Sequence, residues 1–187
     1  MAIDSGKAAA LARQSPRGIR LPGTVLGIGL GGFVDGILLH QILQWHHMLT
    51  STNTDNIGVQ YYPANTVHGL QINTIWDGLF HTFTWLAVLV GLGLLYSRVT
   101  HSRGRAWTSR VLWGWILVGW GVFNLVEGII DHHLLGIHHV RSGEYQTWWD
   151  IGFLVFGAFL VASGWLLQRT GTPLDITGDA ERPATTR

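Results

Sequence analysis

The chain has 187 residues, a net charge of +1 and no cysteine, and only 12% of its residues are charged. A soluble domain carries roughly 25% charged residues, so the composition disfavours an ordinary water-exposed protein. The absence of cysteine also removes thiolate from the metal ligands that this chain can offer.

Four apolar segments, at about 21–48, 75–97, 109–136 and 149–168, are long enough to cross a bilayer. A hydrocarbon core about 30 Å thick requires about 20 apolar residues in a helix, and a sheet would leave unpaired edges in lipid. We therefore predict an all-α integral membrane four-helix bundle over residues 21–169, with a polar lead (1–20) and a flexible tail (170–187). The alternative is a soluble protein with four buried helices, but such helices usually show a polar face.

The basic residues predict the orientation of these spans. Of the 12 Lys and Arg residues, four precede the first span, four lie between the second and third, and three follow the fourth. Only Arg141 lies in the remaining loops. By the positive-inside rule both termini are cytoplasmic, and nearly all the histidines fall in the outward half. Because the basic residues follow this topological pattern, we expect no nucleic-acid partner.

The first and third spans contain similar segments. VDGILLHQILQWHH (34–47) and VEGIIDHHLLGIHH (126–139) are identical at seven of 14 positions, and WDxxF opens both the second and fourth spans. The repeating unit is therefore a helical hairpin, and two hairpins of the same orientation predict parallel repeats about an axis near the membrane normal. Such an axis predicts three facing pairs: Asp35 with Glu127, His40 with His132, and Asp77 with Asp150.

Glycine recurs every four residues in the first span, at Gly23, Gly27 and Gly31. This spacing lets membrane helices approach each other closely. We expect one closely packed face on this helix, and the glycines need no further role.

Helical spacing groups the polar residues of these spans into stripes. His40 and His47 are seven residues apart, as are His132 and His139, so each pair would share one face of a continuous α-helix. His133 points furthest from these faces. The candidate metal ligands are seven of the outward histidines and three acids beside them: His40, His46, His47, Asp77, His81, Asp131, His132, His138, His139 and Asp150.

This ligand set favours a transition metal. Imidazole suits Zn, Cu, Fe and Ni, and mixed His and carboxylate ligands within a helix bundle are typical of binuclear iron or manganese sites. The residues exceed the four ligands that one zinc needs. We predict a binuclear centre near the outer leaflet, holding two divalent ions, with iron first and then copper or zinc. Two alternatives stay open: polar caps at the membrane interface, and haem b held axially by His40 and His132.

A second polar layer lies deeper in the spans. An ionised carboxylate at the bilayer centre costs roughly 2.5–3.5 kcal/mol, so intramembrane acids are candidates for function. Asp35 and Glu127 lie at matching depths, with Asn124 one turn below Glu127. We interpret these three residues as candidate catalytic groups that relay protons. The alternative is a protonated structural pair that bonds Asn124.

The motifs also carry a resemblance. With DGxxLHxxLxxHH in the first span and EGxxDHHxLGxHH in the third, residues 21–168 resemble a family of predicted four-helix bacterial membrane proteins of unknown function. The resemblance implies a protein of the bacterial cytoplasmic membrane and supplies no activity. The histidine boxes are also similar to those of membrane fatty-acid desaturases and hydroxylases, which are di-iron enzymes. Their HxxxH and HxxHH spacings differ from the spacing here, so only the reaction class carries over.

These observations give four functional hypotheses. The first is a metal-dependent membrane oxidoreductase acting on a small molecule or lipid from the outer side. The others are a zinc hydrolase with a carboxylate as general base, a haem electron carrier, and a metal transporter or chaperone. The expected partners are membrane lipid and a second copy of the chain. The second copy would be needed by a transporter, because four unbroken helices alone make a poor conduit.

Overall fold

The computed structural model describes residues 16–51, 62–101, 105–106, 108–171 and 174–175. Four helices account for most of this part of the chain: α1 (Arg20–Ile42), α2 (Val67–His101), α3 (Ser109–Leu134) and α4 (Gln146–Arg169). A short 3₁₀ turn, Pro16–Ile19, precedes α1. Most of the predicted lead (1–20) and of the predicted tail (170–187) lies outside the described residues.

All four helices are long and apolar enough to cross a membrane. The exposed surface is rich in large apolar side chains, among them Phe83, Phe159 and Leu166, which are each more than half exposed. In contrast, most of the larger buried side chains are polar, and they include His40, His46 and His138. An apolar exterior around a polar interior is the arrangement expected where lipid replaces water as the solvent. The prediction of an all-helical, multi-pass membrane protein is confirmed.

The helices pack in the order α2, α1, α3, α4, with α1 and α3 in the middle. Within the described ranges, α2 packs mainly on α1 and α4 mainly on α3. Gly27 of α1 lies against the backbone of Ile116, and Gly119 of α3 lies against the backbone of Thr24. A Cβ atom at either glycine would overlap these backbone atoms, so glycine permits the close approach of the two central helices.

Both central helices change from α-helix to π-helix at corresponding positions. In α1 the α-helical part, Arg20–Val34, is followed by a π-helix at Asp35–Ile42. In α3 the α-helical part, Ser109–Glu127, is followed by a π-helix at Gly128–Leu134. π-Helical turns are rare and occur frequently at functional sites. The prediction that these helices continue through the paired histidines was wrong, because α1 ends at Ile42 and α3 at Leu134.

Short segments complete the described structure. His46–His47 (β1) pairs antiparallel with Thr50–Ser51 (β2), directly after α1. Arg105–Ala106 (β3) pairs in the same way with Leu174–Asp175 (β4). The second ladder therefore joins the connection between α2 and α3 to a segment of the predicted tail.

Candidate metal centre

Six side chains with metal-binding atoms converge between α1 and α3. They form two overlapping groups that share His46 and Glu127, and within each group the ligand atoms lie within 4.8 Å of one another. Every one of the six side chains is buried. The six residues are Asp35, His40, His46, Glu127, His132 and His138.

The π-helical turns explain how one acid and one histidine of each helix reach this point. A π-helix repeats through i→i+5 hydrogen bonds, so residues five apart lie nearly above one another. Asp35 and His40 have this spacing, as do Glu127 and His132. His40 Nε2 lies 3.1 Å from Asp35 Oδ2. In an α-helix, with 3.6 residues per turn, the same spacing would direct the two side chains well apart.

The other two ligands, His46 and His138, lie beyond the helix ends and are held by the opposite half of the molecule. His46 Nδ1 donates to the carbonyl oxygen of Val140 at 2.9 Å, and His138 Nδ1 donates to that of Met48 at 3.2 Å. A carbonyl only accepts hydrogen bonds, so each Nδ1 carries the proton. The lone pair of each neutral imidazole is therefore on Nε2, the atom that faces the centre.

Burial keeps these two imidazoles neutral. It lowers the pKa of His46 well below the usual 6.5, and the neighbouring His138 and His40 lower it further. The pKa of His138 is lowered in the same way by burial and then by His132 and His40. Metal ions bind the neutral imidazole, so both side chains are in the ligating form at neutral pH.

Two aspartates on the outer helices orient the histidines. Asp77 of α2 accepts from His40 Nδ1 at 3.1 Å, from His47 Nδ1 at 2.7 Å and from the Met48 amide at 2.9 Å. A carboxylate bonded to the remote ring nitrogen is a common support for a metal-binding histidine.

Asp150 of α4 has the corresponding place in the second half. It accepts from His139 Nδ1 at 2.6 Å and from the Val140 amide at 2.9 Å. Its Oδ1 atom lies 3.6 Å from His132 Nδ1. Each aspartate thus braces the loop that follows one of the central helices.

The inner surface of the centre is made of carboxylate oxygens and imidazole nitrogens that have no hydrogen-bond partner among the described residues. The carboxylate oxygens of Asp35 and Glu127 have no hydrogen-bond partner among the described residues, and neither do the Nε2 atoms of the four converging histidines. His40 Nε2 and Asp35 Oδ2 approach each other without hydrogen-bond geometry, and His138 Nε2 lies 3.9 Å from Glu127 Oε1. Buried polar atoms without partners are unusual in proteins and require an explanation.

Most of this chain matches the model of a protein family. The model of one family, described as a predicted membrane protein (DUF2243), matches residues 22–171. The chain belongs to the DUF2243 family. The predicted resemblance to a membrane protein family of unknown function is thereby confirmed. No curated protein and no solved structure matches the chain.

In this member of the DUF2243 family, the other predicted ligands lie around the centre rather than in it. His47, Asp77, His139 and Asp150 form the bracing contacts described above. His81 is half-buried and donates from Nδ1 to the carbonyl oxygen of Asp77, one turn earlier on its own helix. Asp131 is half-buried beside Glu127. His133 is exposed, and its Nδ1 bonds the backbone of Gly128.

The predicted facing pairs are found only in part. Asp35 and Glu127 meet within one group of ligand atoms. His40 and His132 both contact the ring of His138, at centroid distances of 6.3 and 5.0 Å. The predicted pairing of Asp77 with Asp150 was wrong, because the two residues lie on the outer helices and each binds histidines of its own hairpin.

Two apolar cavities reach the carboxylates from opposite sides. The tryptophan cavity, about 380 Å³, lies between α1, α3 and α4 and is lined by Asp35, Asn124 and three tryptophans: Trp45, Trp120 and Trp149. The acidic cavity, about 310 Å³, lies between α1, α2 and α3 and is lined by Glu127, Asp131 and several apolar side chains. Both volumes are in the range typical of small-molecule sites.

Asn124, a predicted catalytic residue, lies in the wall of the tryptophan cavity. Its side chain is 3% exposed, and its Oδ1 atom has no hydrogen-bond partner among the described residues. Asn124 therefore adds a polar atom to this cavity without joining the groups of ligand atoms.

Sequence reasoning did not identify the tryptophan cavity or the role of backbone carbonyls in orienting His46 and His138. Trp45 is the residue before the first paired histidines, and Val140 is the residue after the second pair. Their proximity depends on how the two loops pack, and the sequence alone carries no signal for it.

Proposed function

We propose that the protein is a membrane metalloprotein whose six converging ligands hold a binuclear centre. One observation carries the proposal: buried carboxylate oxygens and imidazole nitrogens face one another, and none has a hydrogen-bond partner among the described residues. His40 Nε2 and Asp35 Oδ2 lie 3.1 Å apart, and their lone pairs would repel each other unless a positive charge, from a proton or a metal ion, lies between them. A metal ion supplies this charge and compensates for the burial of the carboxylates.

The donor set supports transition metals over hard cations. Four imidazoles and two carboxylates are present, whereas Mg²⁺ and Ca²⁺ are bound almost entirely by oxygen. Mixed His and carboxylate ligands on facing helices of a bundle are typical of binuclear iron and manganese proteins. We therefore favour iron, and an oxidoreductase as the class of activity.

The arrangement accommodates two ions. Each imidazole would bind an ion through one nitrogen, whereas Glu127 offers two oxygens and belongs to both groups of ligand atoms. One ion would bind Glu127, His132 and His138, and the other would bind Asp35, His40 and the second oxygen of Glu127. His46 belongs to both groups and would complete either ion. Coordination positions that these residues do not occupy on either ion would be open to a substrate.

A zinc hydrolase is the second candidate. Three histidines of one group, His46, His132 and His138, could hold a catalytic zinc, which binds three protein ligands and keeps its fourth position for water. Zinc in this group would leave Asp35 close by as a general base. Haem fits less well, because the rings of His46 and His138 each contact both His40 and His132 and occupy the space that a macrocycle held by those two histidines would need.

We also propose that the two hairpins are parallel repeats, with both termini cytoplasmic and the centre near the outer face of a bacterial cytoplasmic membrane. The observation that supports the repeat is the recurrence of equivalent contacts at equivalent residues: His46 with Val140, and His138 with Met48.

Single cysteines replacing Glu144 and Arg110 test the orientation, since the chain has no cysteine of its own. An impermeant thiol reagent added to spheroplasts should label the first and spare the second. The reverse pattern would overturn this topology.

Metal analysis of the full chain, purified in detergent, tests the function. We expect about two iron ions per chain and an absorption spectrum without a Soret band. One zinc per chain would favour the hydrolase instead. His132→Ala should lower the metal content and His133→Ala should not, since His133 is exposed. A folded sample that takes up neither metal, even when iron or zinc is supplied, would refute the proposal.

A further inference from the structure

We propose that the tryptophan cavity binds an amphiphile with an apolar chain and an anionic head group, and that this molecule is the substrate or ligand of the metal centre. The inference rests on the proposed function for its link to the metal. The binding site itself stands on the cavity, its polar groups and the position of Arg141.

The body of the cavity suits an apolar chain. Trp120, Phe153 and Phe156 line it together with aliphatic residues of α1. Gly152 lies in the same wall, and a Cβ atom there would meet nothing within 4 Å. In a membrane-spanning protein, a cavity of this kind can receive a ligand directly from the lipid phase. Large apolar pockets with a few convergent polar groups are the usual form of a ligand site.

Groups of opposite charge lie in and beside the cavity. Asp35, one of the converging residues, is part of its lining. Arg141 is not part of the lining, but its guanidinium stands 5.1 Å from the ring centre of Trp45 and 5.6 Å from that of Trp149, two tryptophans that line the cavity. Arg141 is exposed, and no carboxylate of the described residues lies within ion-pair distance of it. An anionic head group would therefore bind at Arg141, and its chain would point towards Asp35.

Asn124 offers a polar contact inside the cavity. Its Oδ1 atom is buried and lacks a hydrogen-bond partner among the described residues, although most buried side-chain oxygens in proteins have one. A hydroxyl or amide group on the ligand would satisfy it. The acidic cavity on the opposite side lacks this arrangement, because its lining contains two carboxylates, Glu127 and Asp131, and no amide side chain.

The linings of the two cavities differ at residues that correspond in the repeat but are not identical in the two halves of the sequence. Leu39 lines the tryptophan cavity, whereas Asp131, the corresponding residue of the second half, lines the acidic cavity. Asn124 corresponds to Gly32. We infer that one side of the centre receives the ligand, and that this specialisation explains the difference between the halves.

Photo-crosslinking tests the proposal. The full chain in detergent is incubated with a diazirine analogue of palmitic acid or with the matching fatty alcohol, and the labelled residues are mapped by mass spectrometry. We expect the acid to label residues of α1, α3 and α4 that line the tryptophan cavity. Equal labelling by the alcohol would contradict an anionic ligand, and labelling restricted to other surfaces would contradict the cavity.

Two variants with matched controls sharpen the result. Gly152→Leu should fill the cavity and abolish labelling, whereas Gly78→Leu, on the exposed face of α2, should not. Arg141→Gln should weaken binding of the acid by about tenfold, the loss expected for one charge-assisted hydrogen bond. Arg169→Gln, which removes a similar contact with Trp165, should leave binding unchanged. Undiminished labelling in Gly152→Leu or Arg141→Gln would overturn the proposal.

Competition identifies the source of the anionic group. Displacement of the label by phosphatidic acid indicates a phospholipid, and displacement by palmitic acid alone indicates a free fatty acid; each result supports the proposal, whereas no displacement by either contradicts it. Metal content measured on the same samples separates the two proposals. Specific labelling of a metal-free protein would refute the metal centre and retain the binding site. A metal-loaded protein without specific labelling would do the opposite.

Discussion

The imidazoles of His46 and His138, which lie beyond the ends of α1 and α3, stack in parallel, with ring centres 4.5 Å apart and planes inclined by 10°. Each ring is fixed by a hydrogen bond to a backbone carbonyl from the opposite hairpin. Both Nε2 atoms are left free and lie in a group with Glu127 and His132. This pair therefore links the two halves of the chain and also offers two nitrogens to the proposed metal centre.

Neighbouring histidines should differ in their effect on the metal. His46→Ala removes a nitrogen of the centre, so at least one ion should be lost even when excess metal is supplied. His47→Ala removes only a partner of Asp77, so affinity should fall by about 10–100-fold, as for other residues that support a ligand. Equilibrium dialysis with the purified chain measures both. Equal and complete loss in the two variants would indicate that His47 is itself a ligand.

The bracing aspartates should tune the centre without forming it. Asp77→Asn and Asp150→Asn keep the size of the side chain but remove its charge. Each should weaken metal binding by about 10–100-fold while two ions still bind at saturation. Competition with a chelator gives the affinities. Glu144→Gln, at an exposed position, is the control. The assignment fails if both aspartate variants bind metal as tightly as the original protein.

Acid should destabilise the metal-free protein. Burial lowers the pKa of His46 and His138 in the folded state, whereas the unfolded chain binds protons near the usual value of about 6.5. Below this pH the unfolded state binds more protons than the folded state, so stability falls as the pH decreases. Above it the contribution of both groups is constant.

Thermal unfolding of the metal-free protein, measured at several pH values from about 5 to 8, tests this dependence. This range spans the usual histidine pKa of about 6.5. The midpoint should fall on the acid side, and the slope should be smaller in the variant His46→Gln, which cannot take up the proton. A variant with the same slope as the original chain would show that other groups govern the acid response.

The contact between α1 and α3 should not tolerate a larger residue. Gly119→Val places side-chain atoms against the backbone of Thr24 and should destabilise the protein by about 1–3 kcal/mol or more, the usual effect of overpacking. Because α1 and α3 carry the ligands, metal content should fall as well. Gly93→Val, at an open position on α2, should change neither property. Melting temperature and metal content report the two effects, and a stable, metal-loaded Gly119→Val would contradict the packing described here.

The spans could be predicted because bilayer thickness constrains helix length so strongly. Hydropathy and the positions of charges are enough to find such helices. Asp35, His40 and Glu127 were also recognisable, because ionisable groups stand out in an apolar segment.

The choice among the histidines could not be predicted in the same way. The spacing of seven between His40 and His47 suggested a shared face, but this assumes an α-helix throughout. The π-helical turn aligns Asp35 with His40 instead, and α1 ends before His46. A π-helix depends on how the end of the helix packs against its neighbours, which no local pattern in the sequence reveals. The loop contacts of Met48 and Val140 depend on tertiary packing for the same reason.

The exchanged backbone contacts have a consequence for biosynthesis. The carbonyl that orients His46 belongs to Val140, which is synthesised 94 residues later. The first hairpin therefore enters the membrane with the site incomplete, and the proposed metal centre could retain an ion only after the third helix and its following loop have been inserted. Loading of the centre would thus report that both hairpins have been inserted and joined.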